Sequence, residues 1–206
     1  MLPTVFHVTH VKSGSQWVYK ILNDCAPERI VKPRVKVAQF YEDAIQPGKI
    51  YPTVYVSRGR FESTLKPSSR SKLLSDSPAL QNWRNFGEQK LPTKEFVVIR
   101  DLRDTLVSLY FSLKVSHAVI SETVAEGRRR LNELDFEEGL LYLCREKMGS
   151  GVYRQAEIQS SWLPVCGRGE ALLVRYEDMI ADEIGQFEKI IDYCGIEISK
   201  SQLHEI

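Results

Sequence analysis

The chain predicts an α/β fold with a central parallel sheet flanked by helices, on three observations. Its apolar runs are short, β-branched and free of polar alternation, as strands covered on both faces read. Amphipathic stretches of helical period lie between those runs. The first run passes straight into a Lys-Ser-Gly-Ser turn that opens a helix, which is a phosphate-binding arrangement.

Taken in order, strands are expected at Val5–Val8, Val35–Ala38, Thr53–Val56, Phe96–Ile99 and Ala171–Val174. The helix over Ser15–Asp24 carries Trp17, Val18, Ile21 and Leu22 on one stripe, and Leu102–Val115 places Leu102, Leu106, Leu109 and Leu113 on another. Asp135 before Phe136–Lys147, with Glu138 three residues on, is a capping-box signature, and Ile184–Cys194 stops at Gly195. The stretch Arg58–Lys72 holds five basic residues, one acid and no clear period, and reads as a solvated surface loop.

At 206 residues the chain supports a single domain, expected to span residues 1–206. A net charge of +1 with 27% charged residues lacks the basic bias of nucleic-acid or membrane-surface binders, so the expected partner is a small anion. Cys25, Cys144, Cys166 and Cys194 are far apart, with no Cys-x-x-Cys pair and no His at ligand spacing. They read as buried thiols of a cytoplasmic protein, with neither a metal site nor a disulfide framework expected. No apolar run approaches the roughly 20 residues a membrane span needs.

Chemistry concentrates after the first strand, in His10-Val11-Lys12-Ser13-Gly14-Ser15-Gln16-Trp17. N–H groups at a helix start have no intrahelical acceptor and lie at the positive end of the dipole, so an anion is favoured there. Lys12 adds a full charge, and Gly14 lets the backbone approach a ligand closely. The order is not that of a Walker A loop, because the Lys precedes the Gly and no Gly stands before His10. That weighs against a P-loop kinase, as does the lack of a clear magnesium-holding acid at a strand end.

Residue by residue the loop resembles the 5′-phosphosulfate loop of sulfotransferases that use 3′-phosphoadenosine-5′-phosphosulfate (PAPS), whose pattern is Tyr-Pro-Lys-Ser-Gly-Thr-Thr-Trp. Two further segments resemble that family in its order. The run Val97–Tyr110 looks like the 3′-phosphate motif, a strand ending in Arg100 with Ser108 eight residues later on the next helix. An Arg at the carboxyl end of a parallel strand points into the ligand crevice, and its fork suits a phosphate dianion. The alternative for Arg100 alone is an ion pair with an acid such as Asp104. Leu172–Met179 is similar to the family's strand-Tyr-Glu-Asp segment, in which the Tyr lies beside adenine, and the helical run Val152–Trp162 precedes it as in the family.

The resemblance implies a P-loop-like sulfotransferase fold and sulfuryl transfer from PAPS to a hydroxyl or amine, without a metal. Lys12 is then the leaving-group stabiliser, Ser13, Gly14, Ser15 and Gln16 cradle the 5′-phosphate, Arg100 and Ser108 hold the 3′-phosphate, and Trp17 and Tyr176 grip the base. Either aromatic is equally readable as a core residue. Two departures stand out. Gln16 replaces the family's second Thr, and the Arg-Lys-Gly segment that closes over the 3′-phosphate is absent by Ile206, so the domain is expected to lack it. Retention of the nucleotide site without chemistry is the alternative these departures leave open.

The family's usual catalytic His has no counterpart in Val56-Ser57-Arg58-Gly59-Arg60. Glu42, shortly after the second expected strand, is taken as the base by analogy with glycan-modifying relatives, with His10, Glu62 and His117 behind it. His7 and His10 face opposite sides of an extended segment, which argues against a shared metal. The acceptor, a small molecule or glycan, is expected to meet residues 40–95, where Tyr41, Tyr51, Phe61, Trp83 and Phe86 lie, and the helices after Ser116.

Overall fold

Four parallel strands in the order β2-β1-β3-β4 form the sheet in the computed structural model, which describes residues 2–33, 43–65, 86–89, 91–145 and 153–206. The strands are β1 (Thr4–Val8), β2 (Ile50–Val54), β3 (Thr93–Ile99) and β4 (Leu172–Arg175). Helix α1 (Ser15–Cys25) follows β1, α2 (Arg58–Leu65) follows β2, and α3 (Leu102–Phe111) follows β3. Then come α4 (Glu122–Glu133), α5 (Phe136–Arg145) and α6 (Tyr153–Gly167) before β4, with α7 (Tyr176–Ala181), α8 (Glu183–Cys194) and α9 (Lys200–His204) after it. The expected strand Val35–Ala38 lies outside the described residues, as do Tyr41, Glu42 and Trp83.

Both faces of the sheet are covered, which explains the apolar runs within its strands. Val5, Phe96 and Val98 face a core built with Val18, Leu22, Phe187 and Ile190, while Phe6, Val97 and Ile99 face one built with Phe61, Ile158 and Trp162. A third cluster, Leu109, Tyr110, Leu113, Leu131 and Leu143, joins α3, α4 and α5. The capping box forms as expected: the Glu138 N–H donates to Asp135 Oδ1 at 2.8 Å and the Asp135 N–H to Glu138 Oε2 at 3.3 Å. Gly195 ends α8 at φ 64°.

Several expectations are corrected. The segment at Arg58 is not a loop over its described part but helix α2, because Phe61 is buried edge-on against Phe6 and Trp162, and Arg58 pairs with Glu62 one turn on at 2.7 Å. The second strand runs Ile50–Val54 rather than Thr53–Val56. It contains Pro52, accommodated by a bulge opposite Phe6–Val8, and the carbonyl of Pro52 accepts a hydrogen bond from buried His7. That imidazole stacks on Phe96 at 4.6 Å, and burial drives its pKa down to about 3, so it stays neutral. Helix α3 stops at Phe111 and continues as a π-turn over Ser112–Ser116. The cysteines are free, but only Cys194 is buried; Cys144 is exposed.

Candidate functional site

Because the strands are parallel, their carboxyl ends share one edge of the sheet. The chain steps from β1 to one neighbour, β2, and then to the other, β3, so the edge above β1 is a topological switch point, where such sheets bind ligands. Thr9–Gly14 occupies it. Within this loop the Ser13 hydroxyl donates to the His10 carbonyl at 2.6 Å and touches Thr9 Oγ1, which donates to the Val98 carbonyl at 3.1 Å. Ser13 is fully buried, so its side chain holds the loop.

Lys12 and Gly14 adopt φ of 68° and 87°, the left-handed region. Lys12 is alone among the described non-glycine residues in doing so, a conformation that concentrates at ligand sites. The turn leads into α1 with no side-chain cap and no acid in the first turn. The first bond across this start is from the Val18 N–H to the Gly14 carbonyl, at 3.1 Å. The preceding N–H groups of Ser15, Gln16 and Trp17 are therefore open to an anion.

Arg100, one residue past β3, does not pair with Asp104. Its Nη1 donates to the Lys12 carbonyl at 3.0 Å, its guanidinium lies 4.3 Å from the Tyr176 ring centroid, and its Nε is buried without a partner. Tyr176, the first residue of α7, packs so closely on Gly14 that a Cβ there would meet its ring at 2.8 Å. Trp17 lies edge-on to Tyr176 at 6.3 Å and to Phe187 at 5.3 Å, so it borders both the site and the core. Lys12, Gly14, Trp17, Arg100 and Tyr176 are thus brought together; Ser108 sits half-buried on α3, two turns beyond Asp101.

One neighbour escaped the sequence reading. The Tyr55 phenol, just past β2, lies 2.8 Å from Ser15 Oγ. Burial raises its pKa. The single available signal was an aromatic residue ending an apolar run, which does not reveal a partner 40 residues away.

The candidate bases scatter. His10 is buried, with ring nitrogens 3.0 Å from the Val11 carbonyl and 3.2 Å from Gln159 Oε1, and desolvation lowers its pKa. Glu62 is paired with Arg58, and His117 is exposed beyond the π-turn. Tyr51, Phe61 and Phe86 are buried in the second core rather than presented to an acceptor. A cleft of about 450 Å³ opens instead between Leu102 and Ala156, Gln159 and Leu163 of α6. Among the described residues there is no His, Cys, Asp and Glu cluster able to hold a metal, and no helix long and apolar enough to cross a membrane.

Against known proteins, a family model of the sulfotransferase domain matches residues 2–206. A mouse sulfotransferase solved with PAP superposes with a TM-score of 0.58 at 18% identity, over 98% of this chain and 62% of that one. A sulfotransferase from Alicyclobacillus acidocaldarius matches at 0.46 and 16% identity, over 96% and 82% of the two chains. Retinol dehydratase with retinol and PAP matches at 0.42 and 20%, over 100% and 64%. This chain therefore spans about three fifths of the length of the mouse protein. A search of curated proteins finds no match.

Proposed function

The chain belongs to the sulfotransferase domain family, and from that membership we propose that it transfers a sulfuryl group from PAPS to a hydroxyl or amine of a small-molecule or glycan acceptor. The observation that carries the proposal is the open start of α1, uncapped and free of acid, framed by Lys12, Arg100 and Tyr176. The buried, unpartnered Arg100 Nε is a further donor awaiting an acceptor, which suits a doubly phosphorylated nucleotide.

The donor supplies an activated sulfuryl group and a nucleotide leaving group, on whose bridging oxygen negative charge grows during an in-line attack. Lys12 and the N–H groups of Ser15 and Gln16 stabilise that charge. Arg100 binds the 3′-phosphate while its plane rests on Tyr176, and Trp17 and Tyr176 border the base. The acceptor occupies the cleft beside Leu102 and Gln159, next to His10. The acceptor proton passes to a base; Glu42 is the residue proposed from the sequence. The four free cysteines suit a reducing compartment, and the cytoplasm is the proposed location.

The test is a thermal melt with 3′,5′-adenosine bisphosphate beside 5′-AMP and beside ATP with magnesium. A ligand at about 100 times its Kd adds roughly 2.7 kcal/mol, a rise of several degrees for a domain of this size. A rise specific to the bisphosphate is expected. A rise with ATP and magnesium alone turns the assignment to a kinase, and bisphosphate binding without transfer to any acceptor turns it to a nucleotide-binding module.

A further inference from the structure

Ser15 is buried as the first residue of α1, and its hydroxyl has one partner of unusual placement, the phenol of Tyr55 at 2.8 Å. The backbone that carries the phenol is held on both sides: the Val54 carbonyl accepts the Thr9 N–H at 3.1 Å, and the Tyr55 carbonyl accepts from Arg154 Nη2 at 3.2 Å.

The direction of these bonds matters, because a hydroxyl has one proton to give. If Ser15 donates to Tyr55, it has nothing to offer an anion at the helix start. If the phenol donates to Ser15 Oγ instead, the Ser15 proton points outward. An anion beside the open N–H groups selects the second arrangement.

We propose that Tyr55 is a positioning residue of the phosphosulfate loop, completing a relay from Tyr55 to Ser15 that presents the Ser15 proton to the 5′-phosphate of the nucleotide. This rests on the reading of the loop as the donor site. Burial keeps the phenol protonated through neutral pH, so the relay keeps its donor.

Calorimetric titration of 3′,5′-adenosine bisphosphate into wild type, Tyr55→Phe, Ser15→Ala and the double variant tests the relay, with the ligand-free melting temperature of each recorded. Tyr55→Phe is expected to weaken binding about fivefold to tenfold, and the double variant to bind no worse than Ser15→Ala, because Tyr55 acts through Ser15. Additive losses, or unaltered binding by Tyr55→Phe, overturn the relay. Absence of binding by wild type overturns the donor-site reading itself, and then all four titrations are flat.

Discussion

Helices α1 and α3 both begin at the carboxyl ends of neighbouring parallel strands, yet one start is open and the other is closed. At α3, Asp101 accepts from the Arg103 N–H at 2.8 Å and grips the Arg103 guanidinium at 2.7 Å. That grip holds its carboxyl well below the usual carboxylate range. The Asp101 N–H is itself taken by Glu177 Oε1 at 2.8 Å. At α1, by contrast, the cap position is Gly14 and the first turn contains no acid. Two similar helix dipoles thus meet opposite treatment: the protein's own carboxylates satisfy one, and the other has no resident anion.

The sharpest way to break this contrast is Lys12→Ala. About a 100- to 1,000-fold loss of sulfuryl transfer from PAPS is expected with the melting temperature little changed, and wild-type turnover would remove Lys12 from the site. Gly14→Ala comes next. A methyl group at φ 87° and 2.8 Å from the Tyr176 ring should cost about 1–3 kcal/mol of stability in urea unfolding, and weaken bisphosphate binding as the ring shifts. Asp101→Ala should lower the melting temperature slightly, as loss of a cap does, and leave bisphosphate affinity nearly unaltered. A large loss of bisphosphate binding would erase the distinction between the two starts.

A comparison across pH sharpens it. His7 has a depressed pKa, so the unfolded chain takes up its proton near pH 6.5 while the folded chain refuses it until about 3. Its contribution is therefore complete above about pH 6.5 and declines as pH falls, by up to about 1.4 kcal/mol per unit. The Asp101 cap is different: it is present above the ordinary carboxylate pKa and lost only in stronger acid. Unfolding midpoints of wild type and Asp101→Ala should consequently fall in parallel from pH 7 to about 4. Convergence of the two curves within that range would mean that the α3 cap titrates earlier than its pairing with Arg103 requires.

What the sequence disclosed was what the chain decides locally. The loop Lys12–Trp17, the capping box at Asp135 and the stop at Gly195 are each written within about a turn of helix, and each was readable. Strand β2 was displaced because Pro52 reads as a strand breaker; what tolerates it is a bulge and a hydrogen bond from His7, 45 residues away. Helix α2 was missed because its few apolar positions give no period, and Phe61 is recruited by Phe6 and Trp162 from elsewhere in the chain. The site divides the same way. Arg100 was identified by its place at a strand end, but its bond to the Lys12 carbonyl, 88 residues distant, was not. The resemblance of Leu172–Met179 named Tyr176, while the reason Gly14 must be glycine, contact with that ring, appeared only in three dimensions.

The Tyr176 ring touches Gly14, Trp17 and Arg100, which arrive from two other strand ends. In folding terms it is a late keystone. A ribosome-bound chain emerging at about 5–20 residues per second exposes Lys12–Trp17 long before residue 176, and contacts of such sequence separation are slow to close. The loop therefore spends synthesis without its aromatic wall and acquires it only when β4 docks on β3. Under the proposed function, nucleotide capture would report that the sheet has been finished.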